Sequence, residues 1–558
     1  MRQSTSSITS LALSLALTIV PTMAEAQERP REETTTKVKP ESLSPTATTP
    51  ITHIVVIFDE NISFDHYFGT YPKAVNPPGE PRFTALPETP SVNGLTSALL
   101  TNNPNLNPAN GAGAANPFRL NRTQAWTADM GHSDLPEQES FDNGLMDLFP
   151  KDTGTAGTAS NMSVLTPPVV TTKGLVMGYY DGNTVTAEWE YAQNFALNDN
   201  SYNSQFGPSS PGAVNLISGQ TNGIIEGTVL NAPSSDQIAD GQGGYTMVGD
   251  AEPLGDICSS PTSFNASLSG LNIGDLLNSA GLTWGWFQGG FDLTVTNPNG
   301  TTLCHRSTKS PVSGLTEADY VEHHEPFQFY ATTRNPNHTR PSSVAAIGTT
   351  DAANHQYDIH DFFDSLAAGN LAAVSFLKPP QYQNAHPADS DPLDEQAFIV
   401  NVINTLEQSS FWDSTAIIIA YDDSDGWYDH QQGPIINASF STDDALSGTD
   451  ACGASGVTPQ LPGPNSSGEP VNGRCSPGVR TPLLVISPWA KANYVDHTFT
   501  IQTSITRFIE DNWTLGRIGG GSFDATAGQI NNMFNFTDPQ GPPPNTNHPI
   551  LSTTTGLP

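Results

Sequence analysis

Two apolar stretches of this chain end in pairs of oxygen-bearing side chains. Ile54 to Phe58 runs into Asp59, Glu60 and Asn61, and Ala416 to Tyr421 runs into Asp422 and Asp423. In an open α/β sheet the ligand crevice lies beyond the carboxyl ends of the strands, so Glu60, Asn61, Asp422 and Asp423 are placed as hard oxygen ligands for a cation. A hydroxyl is available in the turn Gly207-Pro208-Ser209-Ser210-Pro211-Gly212, where Gly and Pro precede a helix and put Ser209 at its N-terminus. The free N–H groups and dipole there favour both an alkoxide and a phosphate. Among the 13 histidines, His132 (Asp129-Met130-Gly131-His132-Ser133), the pair His323 and His324 (before Glu325-Pro326-Phe327) and His386 (Asn384-Ala385-His386-Pro387) sit in unusual contexts. Oxygen ligands, a hydroxyl nucleophile and groups to hold phosphoryl oxygens are what metal-assisted chemistry on phosphate requires. Singly, each carboxylate pair also reads as a cap or loop anchor, and Ser209 as a helix cap.

Such a site needs strands that end together and helices that hold them. Ile54–Phe58, Ala373–Leu377, Ala416–Tyr421 and Leu483–Ile486 read as strands; 188–196, 357–366, 394–407 and 503–512 read as helices. The helix from Asp394 opens on acidic residues and sets Phe398, Val402, Ile403 and Leu406 on one face, as packing on a sheet demands. The alternation predicts an α/β fold, a three-layer α/β/α sandwich. Residues 222–343, rich in Gly, Asn, Pro and Thr, read as a loop-rich insertion over the sheet.

The chain of 558 residues accommodates one large catalytic domain, 51–538. Arg2, the apolar run Leu11–Val20 and Ala24-Glu25-Ala26 form a signal peptide pattern over 1–26, which points to a secreted or periplasmic protein; 27–50 reads as a flexible leader and 539–558 as a flexible tail. The apolar run is too short to span a bilayer, and no later stretch is an integral membrane segment. The 4 cysteines of an exported chain suggest disulfides; Cys258 with Cys304 and Cys452 with Cys475 each close a local loop. Lys and Arg total 21 against 56 Asp and Glu, a formal charge of -35, which argues against nucleic acid or an anionic membrane as a standing partner. An anionic substrate would then need local positive charge, from a metal and histidines.

Five blocks occur in order: Glu60-Asn61-x-Ser63-Phe64-Asp65-x-x-Phe68-Gly69, Gly207-Pro208-Ser209-x-Pro211-Gly212, His323-His324-x-Pro326-Phe327, Ala373-Val374-Ser375-Phe376-x-Lys378-Pro379, and Tyr421-Asp422-Asp423-x-Asp425-Gly426-Trp427-x-Asp429-His430. Together they resemble the bacterial acid phosphatase and phospholipase C phosphoesterase family, which is similar to alkaline phosphatase in its core. The resemblance covers most of the chain from Ile51 to Trp513. It implies that Glu60, Asn61, Asp422, Asp423 and Ser209 hold a divalent metal, with Ser209 also the nucleophile. It further implies that His132, His324 and His386 bind phosphoryl oxygens, one of them protonating the leaving group. His323 points elsewhere if its segment is extended, and His497 resembles a family segment without a role at the metal. Ile62 stands where many relatives carry a basic residue. Gly212 and Asp423 stand where the phospholipase branch carries Asn and Glu, which moves the chain toward the acid phosphatase branch.

The reading is therefore an exported acid phosphatase that hydrolyses phosphate monoesters through a phosphoserine, with an acidic optimum if its histidines act while charged. The alternative is a phospholipase C that cleaves phospholipid head groups. The donors favour Ca²⁺, Mg²⁺ or Mn²⁺, while the histidines leave Zn²⁺ or Fe open. A sulfatase fits less well, because Ala213 occupies the place of that family's Arg. A non-catalytic binding protein with a degenerate metal site is the rival from another class.

Overall fold

The computed structural model describes residues 45–157, 171–226, 236–441, 444, 452, 461–465 and 469–558. The expected signal peptide, and the leader up to residue 44, lie outside them. Eight strands make the central sheet: β1 His53–Asp59, β2 Ala196–Asn198, β3 Trp284–Gln288, β4 Gln356–Asp358, β5 Val374–Lys378, β6 Thr415–Tyr421, β7 Leu483–Ile486 and β8 Tyr494–Asp496. Their spatial order is β4-β3-β5-β1-β6-β7-β2-β8. Only β7 runs against its neighbours in this sheet; the other pairs are parallel. Strands β5 and β6 are buried throughout and β1 at all but its first residue, which is why they read as unbroken apolar runs rather than alternating ones.

Register decides where the side chains of interest emerge. Asp59 pairs with Tyr421, so Glu60 leaves β1 level with Asp422 leaving β6. On the other side Ile57 pairs with Leu377, which brings Lys378 to the same edge. Helix Thr186–Asn194 packs with helix Pro392–Glu407, and helix Ser209–Ser218 packs with helix Thr503–Trp513. With the sheet between such layers, the α/β sandwich expected from sequence is the observed fold. The four expected strands are present within one or two residues, as is the helix at 503.

Four expectations need correction. The segment 222–343 is not only a cover: it contains β3 and helix Ile273–Ala280, so the sheet passes through it. Its strand hides in sequence because Trp284-Gly285-Trp286-Phe287 lacks β-branched residues and sits between glycines; Gly285 is where a Cβ would meet the Phe287 and Tyr357 rings at 2.9 Å. The helix at 188–196 stops at Asn194, and Ala196 and Leu197 enter β2 instead, while Tyr357 belongs to β4 and its helix begins at Ile359. The tail 539–558 has no helix or strand, yet it is docked: Leu551 is buried, Asn404 bonds its carbonyl and amide, and Asn545 N–H donates to the Pro488 carbonyl.

Cys258–Cys304 and Cys452–Cys475 are disulfides, as expected. No helix among the described residues is long and apolar enough to cross a membrane.

Buried Arg480 stitches the segments that follow β1 and β6. Its Nε donates to Asp429 at 3.1 Å, its Nη2 to Asp65 at 3.1 Å, and its Nη1 to the carbonyls of Asn93 and Asp199 at 2.7 and 2.9 Å. His430 Nδ1 lies 2.6 Å from the other oxygen of Asp65. Burial opposes charge on both partners, but His430 and Arg480 still hold Asp65 below the ordinary carboxylate range, and Asp65 holds His430 above the ordinary histidine value. Replacing Arg480 with Met strands buried carboxylates and should cost about 3–5 kcal/mol in urea unfolding. His430→Asn should cost most below about pH 6.5, where His430 is charged in both states, and the deficit should shrink as pH rises through its raised folded value.

Candidate active site

Ser209 opens the helix Ser209–Ser218, with Pro208 as its cap residue. Its Oγ lies 3.1 Å from Glu60 Oε2 and 3.1 Å from Asp423 Oδ2, between the two strand ends. Asp422 Oδ1 accepts from the backbone N–H of Asn61 at 3.2 Å and of Asp423 at 2.8 Å. Asp423 Oδ1 accepts from the Asp425 N–H at 2.7 Å. Asn61 takes a left-handed backbone at φ 60, which Asn tolerates better than most residues. Its Oδ1 is buried without a hydrogen-bond partner among the described residues.

Glu60 and Asp423 therefore meet at Ser209 Oγ, Asp422 shares Lys378 with Glu60, and Asn61 leaves β1 beside them with its Nδ2 3.5 Å from Asp425 Oδ1. The donor set of carboxylates, one amide oxygen left orphaned and one hydroxyl fits a hard divalent cation. Electrostatics points the same way. Burial, then Asp422, pushes Glu60 well above the ordinary carboxylate range, and burial does the same to Asp423 against the pull of His132. Like charges packed without water need a cation.

His324 is in this group: its Nδ1 lies 3.1 Å from Glu60 Oε1. Burial, then the charges of His323, Lys378 and His386, pushes it well below the ordinary histidine value. His132 and His386 form a neighbouring pair, ring centroids 5.8 Å apart. Burial opposes charge on His132 too, yet Asp423 and Asp425 hold it well above its ordinary value. With Asp129 and Asp425 these two rings bring ligand atoms within 4.8 Å of one another. His323 stands perpendicular to His324, and its charge helps hold Asp250, which accepts from Ser210 N–H at 2.9 Å, below the ordinary carboxylate range against burial. His497 is well exposed and held by Asp199 at 2.7 Å, apart from this group. Ile62 is buried in the core, its N–H donating to the Asp423 carbonyl at 2.9 Å.

Several residues escaped the sequence reading as parts of the site. Lys378, at the end of β5, is fully buried with Nζ 2.8 Å from Asp422 Oδ2 and in contact with Glu60 Oε1. Burial works against its charge, but Asp422 and Glu60 outweigh that and hold the ammonium above its ordinary value. Its place at a strand end was the available signal. Glu137 accepts from Gly207 N–H at 3.0 Å and Ser424 Oγ at 2.6 Å, so it ties the nucleophile turn to the Asp422–Asp425 turn; burial pushes it up to about 7. Asn384 gives its carbonyl to Glu60 N–H and its Oδ1 to His386 N–H, leaving a buried Nδ2 without a hydrogen-bond partner among the described residues.

The sequence model of the Phosphoesterase family matches residues 51–516. The chain is 26% identical over 534 residues to phospholipase C A of Mycobacterium tuberculosis, covering 91% of this chain and 82% of that protein. It is 23% identical over 503 residues to non-hemolytic phospholipase C of Pseudomonas aeruginosa, covering 88% and 58%. Among solved structures, a protein in the alkaline phosphatase superfamily from Vibrio parahaemolyticus aligns with a TM-score of 0.26 and 11% identity, covering 75% of this chain and 78% of that one.

The approach of Ser209 to the strand ends depends on Gly212. A Cβ there would sit 2.0 Å from the Asp422 carbonyl oxygen, which is backbone and cannot turn aside. Gly212→Ala should therefore push the Ser209 helix off β6, lower kcat/KM on any accepted phosphoester by about tenfold or more, and cost about 1–3 kcal/mol of stability. Steady-state kinetics beside a denaturant melt check both.

Proposed function

This chain belongs to the Phosphoesterase family and is a phosphoric ester hydrolase, and from that premise we propose that it is an exported, metal-dependent phospholipase C using Ser209 as nucleophile. The observation that carries the chemistry is the Ser209 hydroxyl held between Glu60 and Asp423, each 3.1 Å away. Relatives bearing the name phospholipase C match most of the chain, which supports the phosphodiester substrate. That ranks the head-group diester ahead of the monoester favoured by the motifs alone. The acid phosphatase reading stands second, on Gly212 and Asp423. Two disulfides support export.

Glu60, Asn61, Asp422, Asp423 and Ser209 would hold the divalent ion. When bound, that ion supplies charge neutralisation and lowers the cost of ionising a hydroxyl. Ser209 Oγ attacks phosphorus in line, the Oγ–P bond forming as the bond from phosphorus to the glycerol oxygen breaks. His132, His324 and His386 surround the phosphoryl oxygens, and one of them gives its proton to the departing alkoxide. The proton of Ser209 passes on attack to the carboxylate that accepts its hydrogen bond; water then attacks the phosphoseryl phosphorus, giving its proton to the histidine that protonated the alkoxide, and Oγ leaves and takes its proton back from that carboxylate. Positioning and electrostatics carry most of the acceleration, because the transferred group asks for little covalent help.

Phosphatidylcholine in mixed micelles and p-nitrophenyl phosphate, assayed in parallel across pH, test the substrate class. A higher kcat/KM on the lipid supports the phospholipase, and a higher one on the monoester supports the phosphatase. No turnover of either with metal supplied would favour the binding protein. Ser209→Ala should lower kcat at least about a thousandfold on the preferred substrate and abolish acid-stable labelling by ³²P substrate. Chelation should remove activity, and one of Ca²⁺, Mg²⁺, Mn²⁺, Zn²⁺ or Fe²⁺ should restore it.

A further inference from the structure

We propose that Lys378 is a resident univalent cation of the cradle, which matches its charge to one divalent ion and keeps a second ion out. The inference rests on the metal-binding reading above. Three buried carboxylates, Glu60, Asp422 and Asp423, converge at the ends of β1 and β6. Lys378 comes from β5, on the far side of β1 from β6. Its stem crosses the end of β1, with Nζ 5.1 Å from the Phe58 ring centroid, to reach Asp422 Oδ2 at 2.8 Å while touching Glu60 Oε1. The side chain is fully enclosed, so the ammonium has no solvent to retreat into.

This contact divides the cradle's oxygens. Glu60 Oε1 faces the ammonium and His324 Nδ1, Asp422 Oδ2 faces the ammonium, and Asp422 Oδ1, which accepts from the N–H groups of Asn61 and Asp423, is the oxygen through which Asp422 would meet the ion. Glu60 Oε2, Asp423 Oδ2 and Ser209 Oγ cluster on the nucleophile's side, with Asn61 Oδ1 left unpartnered. One ion has donors there. A second ion inside the cradle would have to evict Lys378 from both of its carboxylates; the neighbouring group of Asp129, His132, His386 and Asp425 lies outside it. Charge agrees with geometry: the ammonium offsets one of the negative charges that Glu60 and Asp422 bring to the cradle, while His132 lies against Asp425 at 3.3 Å beside it. Without the ammonium, one negative charge is left over in a site closed to water, and a trivalent ion becomes the better match.

Isothermal titration with Ca²⁺ and with La³⁺, on wild type and variants, reads this directly without turnover. Wild type should bind one ion per chain. Lys378→Met should raise the preference for La³⁺ over Ca²⁺ at least about tenfold, and Lys378→Arg should return it toward wild type. If Lys378→Met does not fold, Glu60→Gln and the double variant K378M/E60Q give the same comparison: loss of the ammonium must raise the preference by a similar factor. One ion in wild type with an unchanged preference in the variants overturns this proposal alone. Two divalent ions in wild type that persist in the double variant H132A/H386A, which removes the neighbouring group, overturn it as well. Binding of neither ion, nor of Mg²⁺, Mn²⁺ or Zn²⁺, overturns it together with the metal-dependent reading.

Discussion

Carboxylates buried side by side at the ends of two adjacent parallel strands are the constraint on which the rest of this structure turns. Glu60, Asp422 and Asp423 are almost completely removed from water. Their mutual repulsion in that surrounding would cost several kcal/mol for each uncompensated charge. The fold answers with fixed donors. Asp422 receives two backbone N–H groups and the Lys378 ammonium, and Asp423 receives the Asp425 N–H and the Ser209 hydroxyl. Even the Asp422 carbonyl is held, by Asn203 Nδ2 at 2.7 Å and Gln502 Nε2 at 2.5 Å. A strand end gripped by so many donors is set before any ligand arrives, which is the preorganisation that electrostatic catalysis requires.

Preorganisation of the nucleophile is a separate problem, solved by close approach. Ser209 reaches the carboxylates only because Gly212 lets its helix lie against the backbone of Asp422. The preceding turn is anchored by Glu137, which binds Gly207 N–H on one side and Ser424 on the other. One carboxylate thereby fixes the distance between the Ser209 turn and the Asp422–Asp425 turn. Ser210, the next residue, donates N–H and Oγ to Asp250 at 2.9 and 3.0 Å, so the helix start is pinned from both sides. None of these supports contributes an atom to the group around Ser209 Oγ.

The legible parts of this chain were those in which local chemistry and local pattern agree. β1 and β6 read correctly because fully buried parallel strands must be apolar at every position, and the oxygen donors just beyond them break that run abruptly. Ser209 was legible because Gly and Pro must frame a helix that starts at the site. The strand at Trp284 was not, since its fit depends on aromatic rings meeting over Gly285, a tertiary fact without a sequence period. The helix at 188 was overextended for a related reason: Ala196 and Leu197 suit either state, and pairing with β7 and β8 decides between them. Lys378 lay inside a recognised block but carried no role, because a lysine ending a strand is ordinarily solvated. Only the register of β5 against β1 shows that it is enclosed among acids.

Lys378 and Arg480 perform the same operation at two depths. After β1 the chain passes Glu60 and then Asp65, and after β6 it passes Asp422 and then Asp429. Lys378 bridges the first residue of each excursion and Arg480 the second. A protein with 21 basic residues against 56 acidic ones has enclosed two cations where both excursions can be clamped. Arg480 suits the outer position because its planar fork serves two carboxylates and two carbonyls at once. Lys378 suits the inner one, where a compact ammonium neutralises two acids while leaving their other oxygens directed elsewhere. The same ionic pairing thus fastens the two excursions together and, one step deeper, holds their first residues beside Ser209.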